Sequence, residues 1–264
     1  MRSGVAVSAA IAFAVARAGV WAQGGTEVEK PTTTCEALSG ERTTSLPVWR
    51  PPGDTAHGIH EFDGSARLDV PNSPTITLEL WGGGGGGGGG SDETYTEGGA
   101  GGGGGAGGAY SRTAIAARPD HRYTLIVGRG GRGGAGGQPS LPAGAGQDGG
   151  DSFMCDDERL VLLSPGGAGG GAALTNNRGG QGGRGRDATG SNAAAAIHRA
   201  GHDGANGDRP LFEYRGWGGR GGRVQVGTVE SAVGVGGAGG AGAMRPDRAG
   251  DGMPGGPGHA IVTW

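Results

Sequence analysis

Hydrophobic and polar residues alternate along several short stretches of this chain. In TITLELW, at 75–81, Ile76, Leu78 and Leu80 alternate with polar residues, and Leu68 lies in a shorter stretch with the same pattern. A period of two places apolar side chains on one face of an extended chain. The pattern therefore predicts strands that are buried on one face.

Further apolar stretches follow the glycine-rich blocks, so strands are predicted along the rest of the chain. The predicted strands lie within about 59–81, 109–128, 159–164, 222–229 and 259–264. We predict that ARPDHRY, at 117–123, forms a hairpin turn within the second of these spans. The chain ends on HAIVTW, and a strand that closes with tryptophan favours a folded domain over a disordered tail.

Glycine dominates the sequence between these strands. Eight of the 68 glycines precede Gly82, so the other 60 lie between Gly82 and Gly258. The blocks repeat two glycines followed by Ala, Arg, Gln or Trp. Three residues per turn is the period of the polyproline II helix, and missing side chains let extended backbones approach closely. The repeat predicts a bundle of polyproline II helices.

The composition alone favours disorder, because Leu, Ile, Val and Phe together make up about 14% of the chain. High net charge, which usually accompanies disorder, is missing, since the formal net charge is −3. Collagen is excluded because it needs a strict three-residue period and more proline. We therefore predict a mainly β fold, in which a small antiparallel β-sandwich is combined with a glycine-rich polyproline II helix bundle.

The N-terminal residues have the pattern of a secretory signal peptide. Arg2 precedes an apolar stretch that is too short to span a bilayer, and VWA predicts cleavage after Ala22. A structural N-terminal helix is the alternative. Residues 23–55 are polar and weakly patterned, which predicts an extended arm before a glycine-rich domain at 56–264. We expect the mature protein to be secreted, either extracellular or at a cell surface.

Two cysteines, Cys35 and Cys155, remain after the predicted cleavage. An oxidising compartment predicts that they form a disulfide. A bond within one chain would close a loop of about 120 residues, whereas a bond between chains would join two copies. The sequence leaves both pairings open.

No motif in the sequence indicates an enzyme or a cofactor. Matches to GxGxxG arise by chance in a chain so rich in glycine, and none opens a helix after a strand. A Walker loop needs a lysine, and none follows Lys30. The G-x-S-x-G elbow of hydrolases does not occur in the sequence. We therefore expect neither catalytic residues nor a cofactor.

Histidines and aspartates are the candidate metal ligands. HGIH and HRAGH pair histidines at spacings of three and four, but glycine interrupts both segments and opposes the helix that such pairs need. GGRGRD, at 182–187, matches the start of a calcium-binding β-roll repeat, so Asp187 is a calcium candidate, as is Asp148 in another glycine turn. An aspartate that only forms a turn is the alternative, and we predict no bound metal.

Clusters of arginine and glycine raise the question of RNA binding. GRGGRGG, RGGQGGRGR and YRGWGGRGGR resemble the arginine–glycine segments of RNA-binding proteins. Such segments carry a large positive charge. Without Arg2 and Arg17, this chain has 20 basic and 25 acidic residues. The balance predicts that no nucleic acid is bound.

The strands and glycine blocks follow one another in a specific order. The order runs EFDGSARLDVPNSPTITLELWGGGG, GGAGGAYSRTAI, YTLIVGRGGRGG, DGGDSFM, LLSPGGAGGGA and GPGHAIVTW. It resembles the glycine-rich domain of phage tail-fibre and tail-tip proteins and of the extracellular region of the anaplastic lymphoma and leukocyte receptor tyrosine kinases. The resemblance covers residues 58–264 and implies a β-sandwich with a polyproline II bundle, used for adhesion or ligand recognition.

These observations predict a secreted, non-enzymatic structural or adhesion protein that displays a rigid glycine-rich bundle. Strand donation by residues 24–55 would link neighbouring copies, so the expected partner is another copy or an extracellular protein or surface ligand. A soluble extracellular ligand-binding module is one alternative. Ice binding is another, although scattered Arg and Asp oppose the flat face of small side chains that it requires.

Overall fold

The alternating stretch at 75–81 is a β-strand in the computed structural model of this protein, and Ile76, Leu78 and Leu80 are buried there. The structure describes residues 35, 45–51, 57–70, 74–92, 98–118, 120–139, 141–174, 178–187, 196–210, 214–243 and 248–264. They belong to a unit that spans Thr33–Trp264. The predicted leader at 1–22 lies outside the described residues, as does most of the predicted arm.

Twelve strands occur among the described residues. They are β1 (Val48–Trp49), β2 (Ile59–Phe62), β3 (Ala66–Leu68), β4 (Thr75–Trp81), β5 (Tyr110–Ala116), β6 (Tyr123–Ile126), β7 (Ser152–Asp156), β8 (Arg159–Ser164), β9 (Ile197–Arg199), β10 (Gln225–Val226), β11 (Val229–Glu230) and β12 (His259–Thr263). One sheet has the order β1-β3-β6-β7-β8 and the other β2-β12-β4-β5-β9, while β10 and β11 form a separate hairpin. Neighbouring strands are antiparallel except β1 and β3, which are parallel.

The two five-stranded sheets pack face to face around one hydrophobic core. Leu78 and Val262 contribute from one sheet, and Leu125 and Met154 from the other, all at most 2% exposed. Burying apolar side chains from two facing sheets is what stabilises a β-sandwich. The prediction of a mainly β fold with antiparallel sheets is therefore confirmed.

Two details of the strand prediction are wrong. Residues 117–123 do not form a hairpin turn, because β5 pairs with β4 and β9, whereas β6 pairs with β3 and β7 in the other sheet. The span 222–229 is not one strand, because the chain reverses between β10 and β11 at Gly227, where φ is +64°. Glycine adopts this conformation without steric cost, which explains a turn inside an apolar stretch.

The described part of the arm is bound to its own chain. β1 lies along β3, and the Arg67 N–H donates to the Pro47 carbonyl oxygen over 2.9 Å. The Cys35–Cys155 disulfide forms within the chain, with a Cα–Cα distance of 6.2 Å. It attaches the arm to β7, so the structure decides between the two pairings that the sequence left open.

The glycine blocks continue directly from the strands as ten extended segments. Two inner segments span 82–91 and 99–109. The first follows β4 directly, and the second leads directly into β5. Eight outer segments, numbered 1 to 8 along the chain, span 128–137, 144–151, 165–174, 178–187, 200–209, 214–224, 234–243 and 248–258. None of them is a helix or a strand; instead, they bond to one another through backbone hydrogen bonds.

Each inner segment is bonded to six neighbours. Three consecutive N–H groups of the first inner segment, at Gly85, Gly86 and Gly87, donate to three different segments over 2.8–2.9 Å. Three carbonyl groups of the same residues accept from three others, and the pattern then repeats three residues further on. A three-residue period is the period of the polyproline II helix, which stays our prediction for the segment conformation.

The outer segments surround the inner pair in the order in which they occur in the chain. Each outer segment bonds to the next, and segment 8 closes the ring because the Gly255 N–H donates to the Gly131 carbonyl oxygen of segment 1 over 2.9 Å. Successive segments run in opposite directions, as the hydrogen-bond partners show. We call this arrangement the glycine bundle. The strand at 75–81 therefore ends at Trp81 because the next residues are enclosed by backbone on six sides.

Candidate functional site

Side chains leave the glycine bundle outward, at every third position of most outer segments. In segment 1, Arg129 and Arg132 are exposed, whereas Gly131 and Gly134 face the inner segments and are buried. A period of three keeps one edge of each extended segment toward solvent. Function on this surface therefore depends on the residues that occupy the outward positions.

One outer segment presents aromatic and basic side chains in a single row. In segment 6 the outward positions are Tyr214, Trp217, Arg220 and Arg223, which we call the aromatic–arginine row. Tyr214 is 71% exposed and Trp217 63% exposed. The Arg215 guanidinium lies 5.3 Å from the centre of the Trp217 ring, a cation–π contact that orients the indole. Large aromatic side chains at this exposure contribute little to the core and are available to a ligand.

The surface around this row is positively charged. Outer segments 4, 5 and 6 contain seven arginines and three aspartates, a net charge of +4 in a chain whose net charge is −3. Outer segments 1, 2 and 3 contain two arginines and two aspartates, and segments 7 and 8 one of each. Positive charge is thus concentrated on one side of the glycine bundle.

Several aspartates lie in the extended outer segments and not in turns, and each accepts a hydrogen bond from a neighbouring segment. Asp251 accepts a hydrogen bond from the Gly136 N–H over 2.6 Å, and Asp203 accepts one from the Gly185 N–H over 2.7 Å. Asp151 does the same for the Gly166 N–H over 2.8 Å. These backbone N–H groups lie on the outer side of the ring of segments, where no described segment offers a carbonyl oxygen. The carboxylates accept their hydrogen bonds instead.

The two calcium candidates are not brought together with a third metal-binding side chain among the described residues. Asp148 accepts a hydrogen bond from the Gly169 N–H over 2.9 Å, and its other oxygen contacts the Arg186 guanidinium. An arginine at the carboxylate competes with a cation for the same oxygen. Calcium binding by Asp148 and Asp187 stays a prediction.

A different group has the geometry of a cation site among the residues that the structure describes. His121 Nδ1 lies 2.6 Å from Asp156 and 3.1 Å from Asp157, and the candidate ligand atoms lie within 4.8 Å of one another. Arg118 also approaches Asp156, at 3.9 Å. The His121 ring nitrogen and the Arg118 guanidinium thus already contact the carboxylates of this cluster. Sequence reasoning missed it because His121 precedes β6, whereas Asp156 ends β7 and Asp157 follows it, so the cluster forms only when β6 and β7 pair.

Buried polar groups at the junction of sandwich and bundle are structural. The Tyr110 hydroxyl donates to Glu79 Oε2 over 2.6 Å, and burial, followed by this carboxylate, raises the pKa of Tyr110 well above its usual value. Burial lowers the pKa of His198, whose Nδ1 lies 3.0 Å from Ser111 Oγ. Ser111 is fully buried, and its hydroxyl donates to the Leu163 carbonyl oxygen over 2.8 Å, so we assign these groups to the stability of the fold.

The residues that form the sandwich and the glycine bundle are nearly the same as those that match a known protein family. The profile of a glycine-rich domain matches residues 61–264. The chain belongs to this glycine-rich domain family. None of the curated proteins matches it. In this glycine-rich domain, no helix within the described residues is long and apolar enough to cross a membrane.

The aromatic–arginine row of this glycine-rich domain was partly visible in the sequence. YRGWGGRGGR contains Tyr214, Trp217, Arg220 and Arg223 at a spacing of three. By sequence alone the motif resembles an RNA-binding arginine–glycine segment, although the net charge of the chain opposes that role. Only the bundle shows that the four side chains lie on one rigid outer edge.

Proposed function

We propose that this glycine-rich domain is a secreted, non-enzymatic structural or adhesion protein, in which the glycine bundle is a rigid mount for outward side chains. The observation that carries the proposal is the enclosure of both inner segments by six bonded neighbours. The outer segments are hydrogen-bonded to this enclosed pair and lose little further freedom when a ligand binds, so a rigid mount improves affinity.

Three further observations support an extracellular role. The Cys35–Cys155 disulfide is typical of an oxidising compartment. The sequence before Gln23 has the pattern of a signal peptide. The resemblance to the glycine-rich domains of phage tail proteins and receptor ectodomains supports ligand recognition in preference to catalysis.

The hypothesis that the arm assembles copies of the protein stays a prediction. Strand donation requires that the arm leave its own chain. Here Trp49, in β1, pairs with Leu68 of β3 and stacks on His60 at a ring distance of 4.7 Å, and Cys35 is covalently attached to Cys155. We therefore propose that ligand binding by the glycine bundle does not require strand donation.

The test has two parts. First, the full chain is expressed with its own leader, and the secreted product is sequenced; we expect it to begin at Gln23. Second, beads coated with the secreted protein are passed over surfaces that carry carboxylated polysaccharide, neutral polysaccharide or serum glycoprotein. We expect adhesion to at least one surface, and none by beads that carry reduced, heat-unfolded protein. Retention inside the cell with residues 1–22 attached, or adhesion to no surface, would overturn the proposal.

A further inference from the structure

We infer that the aromatic–arginine row and the arginines beside it bind an extended polysaccharide that carries carboxylate groups. The inference rests on the proposed adhesive function and names the ligand class of its site. The row consists of Tyr214, Trp217, Arg220 and Arg223 on outer segment 6.

The length of the row fits a polymer better than a small molecule. Tyr214 and Arg223 are nine positions apart, and at about 3.1 Å per residue for an extended polyproline II chain they are separated by about 28 Å. Successive outward side chains are then about 9 Å apart. A ligand that contacts all four side chains must itself be extended.

The end of the row that lies farther from the sandwich has the chemistry of sugar recognition. Tyr214 and Trp217 line a groove of about 410 Å³ together with Asp208, Arg209 and Arg215. An exposed ring presents an apolar face to the C–H groups of a sugar, and it has a polar edge for hydrogen bonds. Asp208 accepts hydrogen bonds from hydroxyl groups and repels anionic groups, so this end of the row suits the uncharged part of a sugar.

The end of the row nearer the sandwich has the chemistry of carboxylate recognition. Arg220 and Arg223 line a groove of about 690 Å³, and Glu230 and Met253 also line it. Arginine binds carboxylates through two parallel hydrogen bonds. The Glu230 carboxylate lies 3.2 Å from the Arg223 guanidinium and already accepts from one of its N–H groups. We therefore expect Arg220 to make the stronger contact with a ligand carboxylate.

A carboxylated polysaccharide matches this surface better than RNA does. The net charge of +4 over outer segments 4, 5 and 6 attracts an anion. Non-specific RNA binding, however, depends on neutralising many phosphates, and Asp203, Asp208 and Glu230 interrupt this surface. A carboxylated polysaccharide carries both hydroxyl groups, which donate to the acidic residues, and carboxylates, which accept from the arginines.

The test measures binding of the full mature protein to polygalacturonate at about 0.15 M salt, where exposed charge interactions are partly screened. Dextran is the neutral comparison and polyuridylate the RNA comparison. We expect binding to polygalacturonate that is at least tenfold tighter than to either comparison polymer. The double variants Tyr214→Ala/Trp217→Ala and Arg220→Gln/Arg223→Gln should each weaken it at least tenfold.

The matched control is Arg129→Gln/Arg132→Gln on outer segment 1. These arginines are also exposed and three residues apart, but they have no aromatic residues in their row. The control should leave the affinity for polygalacturonate unchanged, and all variants should keep the melting temperature of the parent. Equal loss in the control, no loss in the row variants, or tighter binding of polyuridylate would overturn the inference. Bead adhesion to another surface with no binding of polygalacturonate would overturn it and leave the proposed function standing; adhesion to none would overturn both.

Discussion

Gly87 and Ala238 lie so close that no side chain fits between them. A Cβ atom on Gly87 would stand 2.0 Å from the Ala238 carbonyl oxygen and 2.4 Å from its carbonyl carbon. Both atoms belong to the backbone of the glycine bundle and not to a movable side chain. The Gly87 N–H also donates to Met253, and its carbonyl accepts from Gly134, each over 2.9 Å. Glycine is therefore a packing requirement at this position.

The first prediction concerns this contact. Gly87→Ala should lower the free energy of unfolding by about 3 kcal/mol or more, because the extra methyl group pushes hydrogen-bonded backbones apart. Urea unfolding of the mature protein measures the change. Gly64→Ala is the control, since a Cβ there meets nothing within 4 Å. Equal midpoints for the two variants would show that the inner segments are not enclosed.

The second prediction concerns the disulfide. Cys35 and Cys155 are separated by 120 residues, and closing such a loop lowers the entropy of the unfolded chain by an amount worth about 4–5 kcal/mol. Cys35→Ala/Cys155→Ala should therefore unfold at a clearly lower urea concentration than the oxidised parent. Reduction of the parent should produce a similar loss. Migration as a covalent dimer without reducing agent would contradict the bond within one chain.

The third prediction separates hydrogen bonding from calcium binding at the aspartates. Asp251→Ala removes the acceptor of the Gly136 N–H and should cost about 1 kcal/mol. Asp251→Asn keeps an acceptor and should cost less. Thermal melts with calcium or a chelator check the alternative role. A calcium-dependent rise in melting temperature that disappears in Asp148→Asn would favour the calcium site instead.

The fourth prediction concerns alkaline pH. The pKa of buried Tyr110 is raised above its usual value of 10.0 by burial and by Glu79, and burial also raises that of Tyr123. The folded state therefore keeps protons that the unfolded state releases above about pH 10. Stability is present in full below that pH and should fall as the pH rises further.

Unfolding in urea at pH 8 and at about pH 11 tests this dependence. Tyr110→Phe should reduce the loss of stability between the two pH values, because phenylalanine does not ionise. At pH 8 the same substitution should cost about 1–1.5 kcal/mol, since the hydrogen bond to Glu79 is lost. Tyr214→Phe is the control, because Tyr214 is exposed. An unchanged pH dependence in Tyr110→Phe would contradict the assignment.

The sequence by itself determined the one-sided strands. Alternation in 75–81 and at 259–264 predicted β4 and β12, because burial on one face requires a period of two. It did not predict β7, since Phe153, Met154 and Cys155 are all buried. A strand that is covered on both faces has no alternation to detect. The short strands β1 and β9 contain too few residues for any period.

The sequence also determined that the glycine blocks have a period of three, but the tertiary structure decided which blocks are neighbours. Every block offers the same N–H and carbonyl groups, so local sequence cannot distinguish one partner from another. The choice depends on hydrogen bonds between residues far apart, such as Gly84 to Gly256 and Gly102 to Gly240. Those pairings place segments 82–91 and 99–109 inside the ring. They also place Trp217 on its outer edge, because a segment with outer positions available can carry large side chains and an enclosed one cannot.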